Sequence, residues 1–197
     1  MKRLLKWMVS ILFLLPFLYS CVYHHITHMN EDELEWFTNR HEGEMMLFIS
    51  SEGTKDTVII CKIEVSNSLT PFNLTYLNTS NTEYIAGGCI DYRFNRTTGC
   101  EGTFYVLKLD NNKPLCFSGG LLERWSRRVS LKLTKLKINN VTLNDVVIFD
   151  ENNTEQIKNQ NQNQANPLKS YAWSKKYGLV QYTFKDGTTF TRTDIGN

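Results

Sequence analysis

The chain reads as a mainly β protein: an antiparallel meander forming a sandwich or a partly open barrel, with a short helix near its amino end. Three observations predict this. From about residue 45 onward, apolar and polar residues alternate with the period of a half-buried strand. The alternating segments are rich in β-branched and aromatic residues, which suit a pleated surface. Clusters of Gly, Asn, Pro and Ser separate them at turn-like intervals. Once an amino-terminal targeting segment is set aside, the rest of the 197 residues is enough for one domain with its own core.

In chain order, the first element is a helix over about residues 31 to 39. Asn30 is its N-cap candidate and Glu33 stands three residues later, the spacing of a capping box. Leu34 and Phe37 share one face. Glu31, Asp32, Glu33 and Glu35 fall at the positive end of the helix dipole, which accounts for them better than a carboxylate site does. Strands follow at Met45–Ser50, Thr57–Val65, Phe72–Leu77, Tyr84–Phe94 and Thr103–Leu109. In the second of these, alternation puts Ile59, Cys61, Ile63 and Val65 inward. The segment Val129–Ile138 carries its apolar residues at odd positions to Leu133 and at even positions from Leu136. A β-bulge at Thr134-Lys135 is the expected device for keeping both halves on the core. Asn139-Asn140 then makes a tight turn into a strand from Val141 to Phe149. Residues 150 to 167 are asparagine-rich, polar and poor in core formers, the composition of a solvated loop or a disordered insert. The carboxyl end, from Tyr171 to Phe190, is a hairpin. A three-residue loop Lys185-Asp186-Gly187 with Gly187 left-handed sets Tyr182 across from Phe190, with Val180 and Phe184 on the same face.

The amino end has a different character. Lys2, Arg3 and Lys6 precede an apolar run from Trp7 to Phe17, then Leu18-Tyr19-Ser20 and Cys21, the layout of a secretory signal. The run contains Pro16 and falls short of the roughly 20 apolar residues that a spanning helix needs. Leu18-Tyr19-Ser20-Cys21 resembles the lipobox of bacterial lipoproteins. WSKKYGLVQYTFKDG, residues 173 to 187, resembles the WSKxYG(L/I)xxYxxxDG ending of uncharacterised envelope lipoproteins of Bacteroidetes. The resemblance implies a signal peptide at 1 to 20 that is cleaved, diacylglycerol on the Cys21 thiol, a tether at 21 to 29 and a single domain at 30 to 197. It also implies an anchor in the outer membrane. Val22-Tyr23-His24-His25 lacks the acidic residues that accompany surface export in that group, which points to the periplasmic face. The resemblance brings no activity with it. Asn73, Asn78, Asn95, Asn140 and Asn152 match glycosylation acceptors, a by-product of abundant asparagine in such a protein.

Removing Lys2, Arg3 and Lys6 turns the formal charge from +2 to −1. A nearly neutral domain is not expected to bind nucleic acid. Cys61, Cys89, Cys100 and Cys116 allow two disulfides in three pairings, or four thiols acting as small buried hydrophobes. The chain has no CxxC, GxSxG, HExxH or phosphate-cradling glycine loop. His24 and His28 at helical spacing, with His41, would be a minimal metal set, but a polar spacer beside the lipid explains the first two. His41, beside Glu42 and Glu44, fits a solvated loop better than a catalytic base. No metal, cofactor or catalytic residue is therefore expected. The binding candidates are Arg124, Trp125, Arg127 and Arg128, whose forked donors and indole suit an anionic or sugar-like ligand. The competing reading turns Trp125 inward and leaves the arginines wet. Trp173, with Tyr171 and Tyr177, is a second aromatic candidate, against a core reading for all three. The expected class is a lipid-anchored, non-catalytic binding or interaction module, its partner a carbohydrate, an anionic ligand or another envelope protein. An assembly or structural component is the alternative, and a hydrolase stands behind both.

Overall fold

The computed structural model describes residues 24–67, 82–95, 102–121, 124–150 and 168–196. Cys21 and its signal, the strand expected at Phe72–Leu77, Cys100 and the polar loop beyond Asp150 lie outside the described residues. Strand β1 is His24–Ile26, helix α1 is Glu31–Thr38, and strands β2 and β3 are Met45–Ser50 and Lys55–Ser66. Next come β4 Thr82–Tyr84, β5 Ala86–Phe94, β6 Gly102–Lys108, β7 Cys116–Leu121 and β8 Arg124–Val129. The remainder are β9 Thr134–Ile138, β10 Val141–Phe149, β11 Leu168–Ser174, β12 Gly178–Phe184 and β13 Thr189–Arg192.

The helix forms where its cap is encoded. Asn30 Oδ1 accepts from the Glu33 amide at 2.8 Å, and Glu33 Oε2 accepts from the Asn30 amide at 2.9 Å. Two amide donors at the helix start are thereby satisfied. Its buried face is Trp36 and Phe37, with Leu34 partly covered. Trp36 packs edge-on to Phe117 with ring centroids 4.9 Å apart. The Phe37 ring lies so close to Gly88 that a Cβ there would come within 2.8 Å of it, so glycine admits the helix to the sheet.

Among the described residues, eleven strands form one antiparallel sheet in the order β8-β7-β6-β5-β3-β2-β13-β12-β11-β10-β9. β1 and β4 make a separate parallel pair. The two edges of the large sheet, β8 and β9, are consecutive in sequence. Laid flat, eleven strands would hold those edges about 48 Å apart, yet the chain from Val129 to Thr134 reaches at most about 18 Å. The sheet therefore curls until its ends approach. Residues from opposite walls meet inside: the Tyr171 hydroxyl donates to the Gly119 carbonyl at 3.1 Å, and Phe104 stacks on Trp173 at 4.4 Å. β8 and β9 are not paired among the described residues, so the barrel stays open along that seam. β13 closes the other side of the ring by pairing with β2, Phe190 opposite Ser50.

Three of the expected strand details differ. Along β3 the buried residues are Val58 and Ile60, with Ile59 turned away. Cys61 is the extra residue of a bulge, since Ile60 faces Tyr92 and Lys62 faces Asp91. The bulge flips the register and returns Ile63 to the core; Val65, on the same face opposite Gly88 near the strand end, is 44% exposed. The segment 129 to 138 is not one bulged strand. It is the end of β8 and all of β9, and its face changes because the chain leaves one sheet edge for the other. The bulge in that region belongs to β10, where Leu143 faces Leu136 and Val146 faces Thr134.

In the carboxyl-terminal hairpin Tyr182 faces Phe190 and Gly187 has φ +95°, the arrangement expected for the longer loop. Val180 departs from it. Ala172 faces Gln181 and Trp173 faces Leu179, so Val180 is the extra residue there. It joins a small cluster with Ile138, Leu143, Val146, Ala172 and Ile195, while Tyr182 and Phe184 pack with the main core. The residues 24 to 29, read as tether, contribute strand β1 and the buried Thr27 and Met29.

Candidate functional site

The interior of the curled sheet is filled by aromatic rings. Trp173 is 1% exposed, stacked on Phe104 with the ring planes 8° apart and tilted against Tyr92 at 5.5 Å. A ring that stacks on a ligand needs an open face, and Trp173 has none, so it is a core residue. Its indole N–H finds no hydrogen-bond partner among the described residues. Tyr171 is likewise buried, stacked on Phe149 at 4.6 Å. The Tyr92 hydroxyl donates to the Gly120 carbonyl. Burial, with a smaller contribution from Tyr171, pushes its pKa well above the usual range, so it is a neutral donor.

Arg124, Trp125, Arg127 and Arg128 all fall on β8, at one edge of the sheet. Trp125 is registered with Gly120 and Arg124 with Leu121. β8 thus supplies a short cationic edge strand.

Charged side chains elsewhere are drawn into pairs that hold the fold. Lys108 is buried and donates to both Glu33 oxygens, at 2.5 and 2.6 Å, tying β6 to α1. Lys175 bridges Asp32 at 2.5 Å and Glu35 at 3.3 Å from the β11–β12 turn. Arg192, also buried, holds Asp194 at 2.6 Å and Glu44 at 3.4 Å, and donates to the Tyr177 carbonyl. Arg40 joins the same group through Glu44 and the Lys176 carbonyl. Burial works to raise the Asp194 pKa, but hydrogen bonding and charge from Arg192 outweigh it and leave the carboxyl below its ordinary value. These contacts clasp the start of β2, the β11–β12 turn and the end of β13. His41 stays exposed, 3.9 Å from Glu44. His28 is committed to the Asn67 carbonyl at 3.1 Å.

One recess among the described residues is open to solvent. An open groove of about 720 Å³ runs over the neighbouring ends of β3, β5 and β6, lined mainly by Val65, Ile85, Gly87, Cys89, Tyr105 and Leu107. Gly87 makes the dent, since a Cβ there would lie 2.5 Å from Leu107 Cδ2. Val65 and Ile85 project at its rim, 44% and 45% exposed. The charged lining residue, Glu64, is paired with Lys62. Burial, then the nearby Asp91 and Glu64 carboxylates, push the Cys89 thiol up, so it lines the groove as a neutral group. Sequence reasoning missed this feature. Its signal was Ala86-Gly87-Gly88, two adjacent glycines inside a strand, a pattern that marks close backbone approach.

The groove sits beside the amino-terminal strand. Ile85 joins β4 to β5, and β1 lies parallel to β4 with Ile26 opposite Tyr84. Asn111 donates to the Ile26 carbonyl at 2.8 Å and accepts from the His28 amide at 2.9 Å. Asn67 brackets Met29, accepting from its amide at 2.6 Å and donating to its carbonyl at 3.0 Å. β1 is thereby fixed to the ends of β3 and β6.

Fold and site together define a curled antiparallel β domain with a ring-filled interior, an external apolar groove and a pinned amino-terminal strand. No protein family, curated protein or solved structure matches the chain. Among the described residues no helix is long and apolar enough to cross a membrane.

Proposed function

We propose that the protein is a lipid-anchored envelope protein acting as a non-catalytic interaction module, held to the membrane by diacylglycerol on Cys21. The packed interior supports this reading above all. Trp173, Phe104, Phe149, Tyr171 and Tyr92 occupy the space in which a small barrel would hold a ligand, so recognition falls to the outer surface. The lipobox resemblance at Leu18-Tyr19-Ser20-Cys21 supplies the anchor. The partner is an envelope protein that engages β8, a sheet edge among the described residues, where Arg124, Trp125, Arg127 and Arg128 supply guanidinium groups and an indole. A sugar-like or anionic ligand on the same residues is the second reading, favoured by the same cluster of arginines around one indole.

The anchor is tested in a bacterial host fed labelled palmitate. The wild-type chain is expected to take up the label and sediment with membranes. Cys21→Ser is expected to lose the label and move to the soluble fraction. A Cys21→Ser protein that stays with the membranes would refute the anchor.

A further inference from the structure

We propose that the apolar groove of β3, β5 and β6 is a membrane-docking surface that lies against the lipid bilayer to which the protein is moored. The inference rests on the acylation of Cys21 proposed above and adds an orientation to it. Cys21 stands three positions before His24, so the anchor lies within about 11 Å of the first residue of β1. β1 is held in place by Asn67 and Asn111 and lies beside β4, whose end runs directly into Ile85 at the groove rim. His24 is opposite Thr82, three positions before Ile85, so the pinned β1–β4 pair holds the anchor within about 21 Å of Ile85 at the groove rim.

The chemistry of the groove suits that neighbour. Val65 and Ile85 project, while Leu107, Tyr105 and the neutral Cys89 thiol form the floor around Gly87. The Glu64 carboxylate that lines the groove is paired with Lys62, so the lining itself presents no unmatched charge to the headgroups. Projecting aliphatic side chains around a tyrosine are suited to the interfacial layer of a bilayer. An acyl chain of the anchor itself is a poorer occupant, because an open groove would leave one side of it in water while the bilayer covers it fully. The other exposed apolar stripe, Met45, Leu47 and Ile49 on β2, is less well placed. Met45 is registered with Ile59, six residues and about 20 Å along β3 from Val65.

The test is hydroxyl-radical footprinting of the full-length processed protein in phosphatidylcholine vesicles, compared with Cys21→Ser protein mixed with the same vesicles. Intact mass reports in parallel whether Cys21 carries lipid. Oxidation of Val65, Ile85 and Tyr105 is expected to fall several-fold in the acylated protein, with Met45 unchanged and no effect of added salt. The double substitution Val65→Glu, Ile85→Glu is expected to keep the lipid and restore oxidation of Tyr105. An acylated protein whose groove oxidises as fast as the Cys21→Ser form overturns the docking surface and leaves the anchor standing. Protection that tracks protein concentration without vesicles overturns it in favour of a second copy of the chain. Absence of lipid on Cys21 overturns both.

Discussion

At the scale of single residues, Trp173 separates packing from polarity. Its ring is stacked on Phe104 at 4.4 Å, while its buried N–H has no partner among the described residues. Trp173→Ala is expected to cost about 3–5 kcal/mol, the usual range for emptying a large aromatic site. Trp173→Phe keeps the stack and removes a buried donor whose lack of a partner costs about 1–3 kcal/mol, which offsets much of the lost volume. Urea unfolding should therefore place the phenylalanine variant within about 1 kcal/mol of wild type. A phenylalanine variant as unstable as the alanine one would show that ring volume dominates. The sequence admitted two readings of this tryptophan, since alternation gives a face but not which face is dry. The bulge at Val180, between Gln181 and Leu179, sets the partner strand's faces, and a bulge depends on a pairing that local residues do not encode.

At the scale of elements, α1 shows what is legible and why. Its capping box joins residues three apart, so Asn30 and Glu33 announced the helix start directly. The partner of Glu33 in the fold is Lys108, on a strand far along the chain, and nothing local points to it. The two roles of Glu33 can be separated. Glu33→Gln retains an acceptor for the cap but leaves the Lys108 ammonium unpaired at 6% exposure, so it is expected to destabilise by about 3–5 kcal/mol. Adding Lys108→Met should recover most of that loss, because the charge left without a partner is then gone. Thermal melts of the two single variants and the double variant check the sign, and a double variant no better than Glu33→Gln would contradict it. Strand positions were legible for the same local reason. Met45–Ser50 and Val141–Phe149 have the bounds that alternation and flanking turns imply, whereas β7 is short, contains Gly119-Gly120 and gave no alternating signal.

At the scale of the whole molecule, the mainly β architecture followed from pattern, but the strand order did not. Pairing of β13 with β2 is a contact between distant parts of the chain, and it converts two meanders into one curled, open sheet. The curled, open sheet explains why residues 130 to 133 join two edges that are unpaired among the described residues. A protease site placed at Lys132, which is exposed, should therefore be cut without unfolding the domain, because each fragment is held by the β13–β2 ladder and the shared core. Gel filtration after cleavage should give one peak at the uncut size that contains both fragments. Separation of the fragments would mean that the 130 to 133 link, rather than the ladder, holds the ring together.

The position of β13 also constrains how the molecule comes to be made. Its residues, Thr189 to Arg192, are synthesised after every other strand of the sheet, yet they stitch the earliest of those strands to the latest ones. Until they emerge, β2 and β12 each present a free ladder edge, so a nascent chain has no way to finish the sheet early. Such distant pairing slows folding, so the sheet is completed only once the chain has been made as far as Arg192.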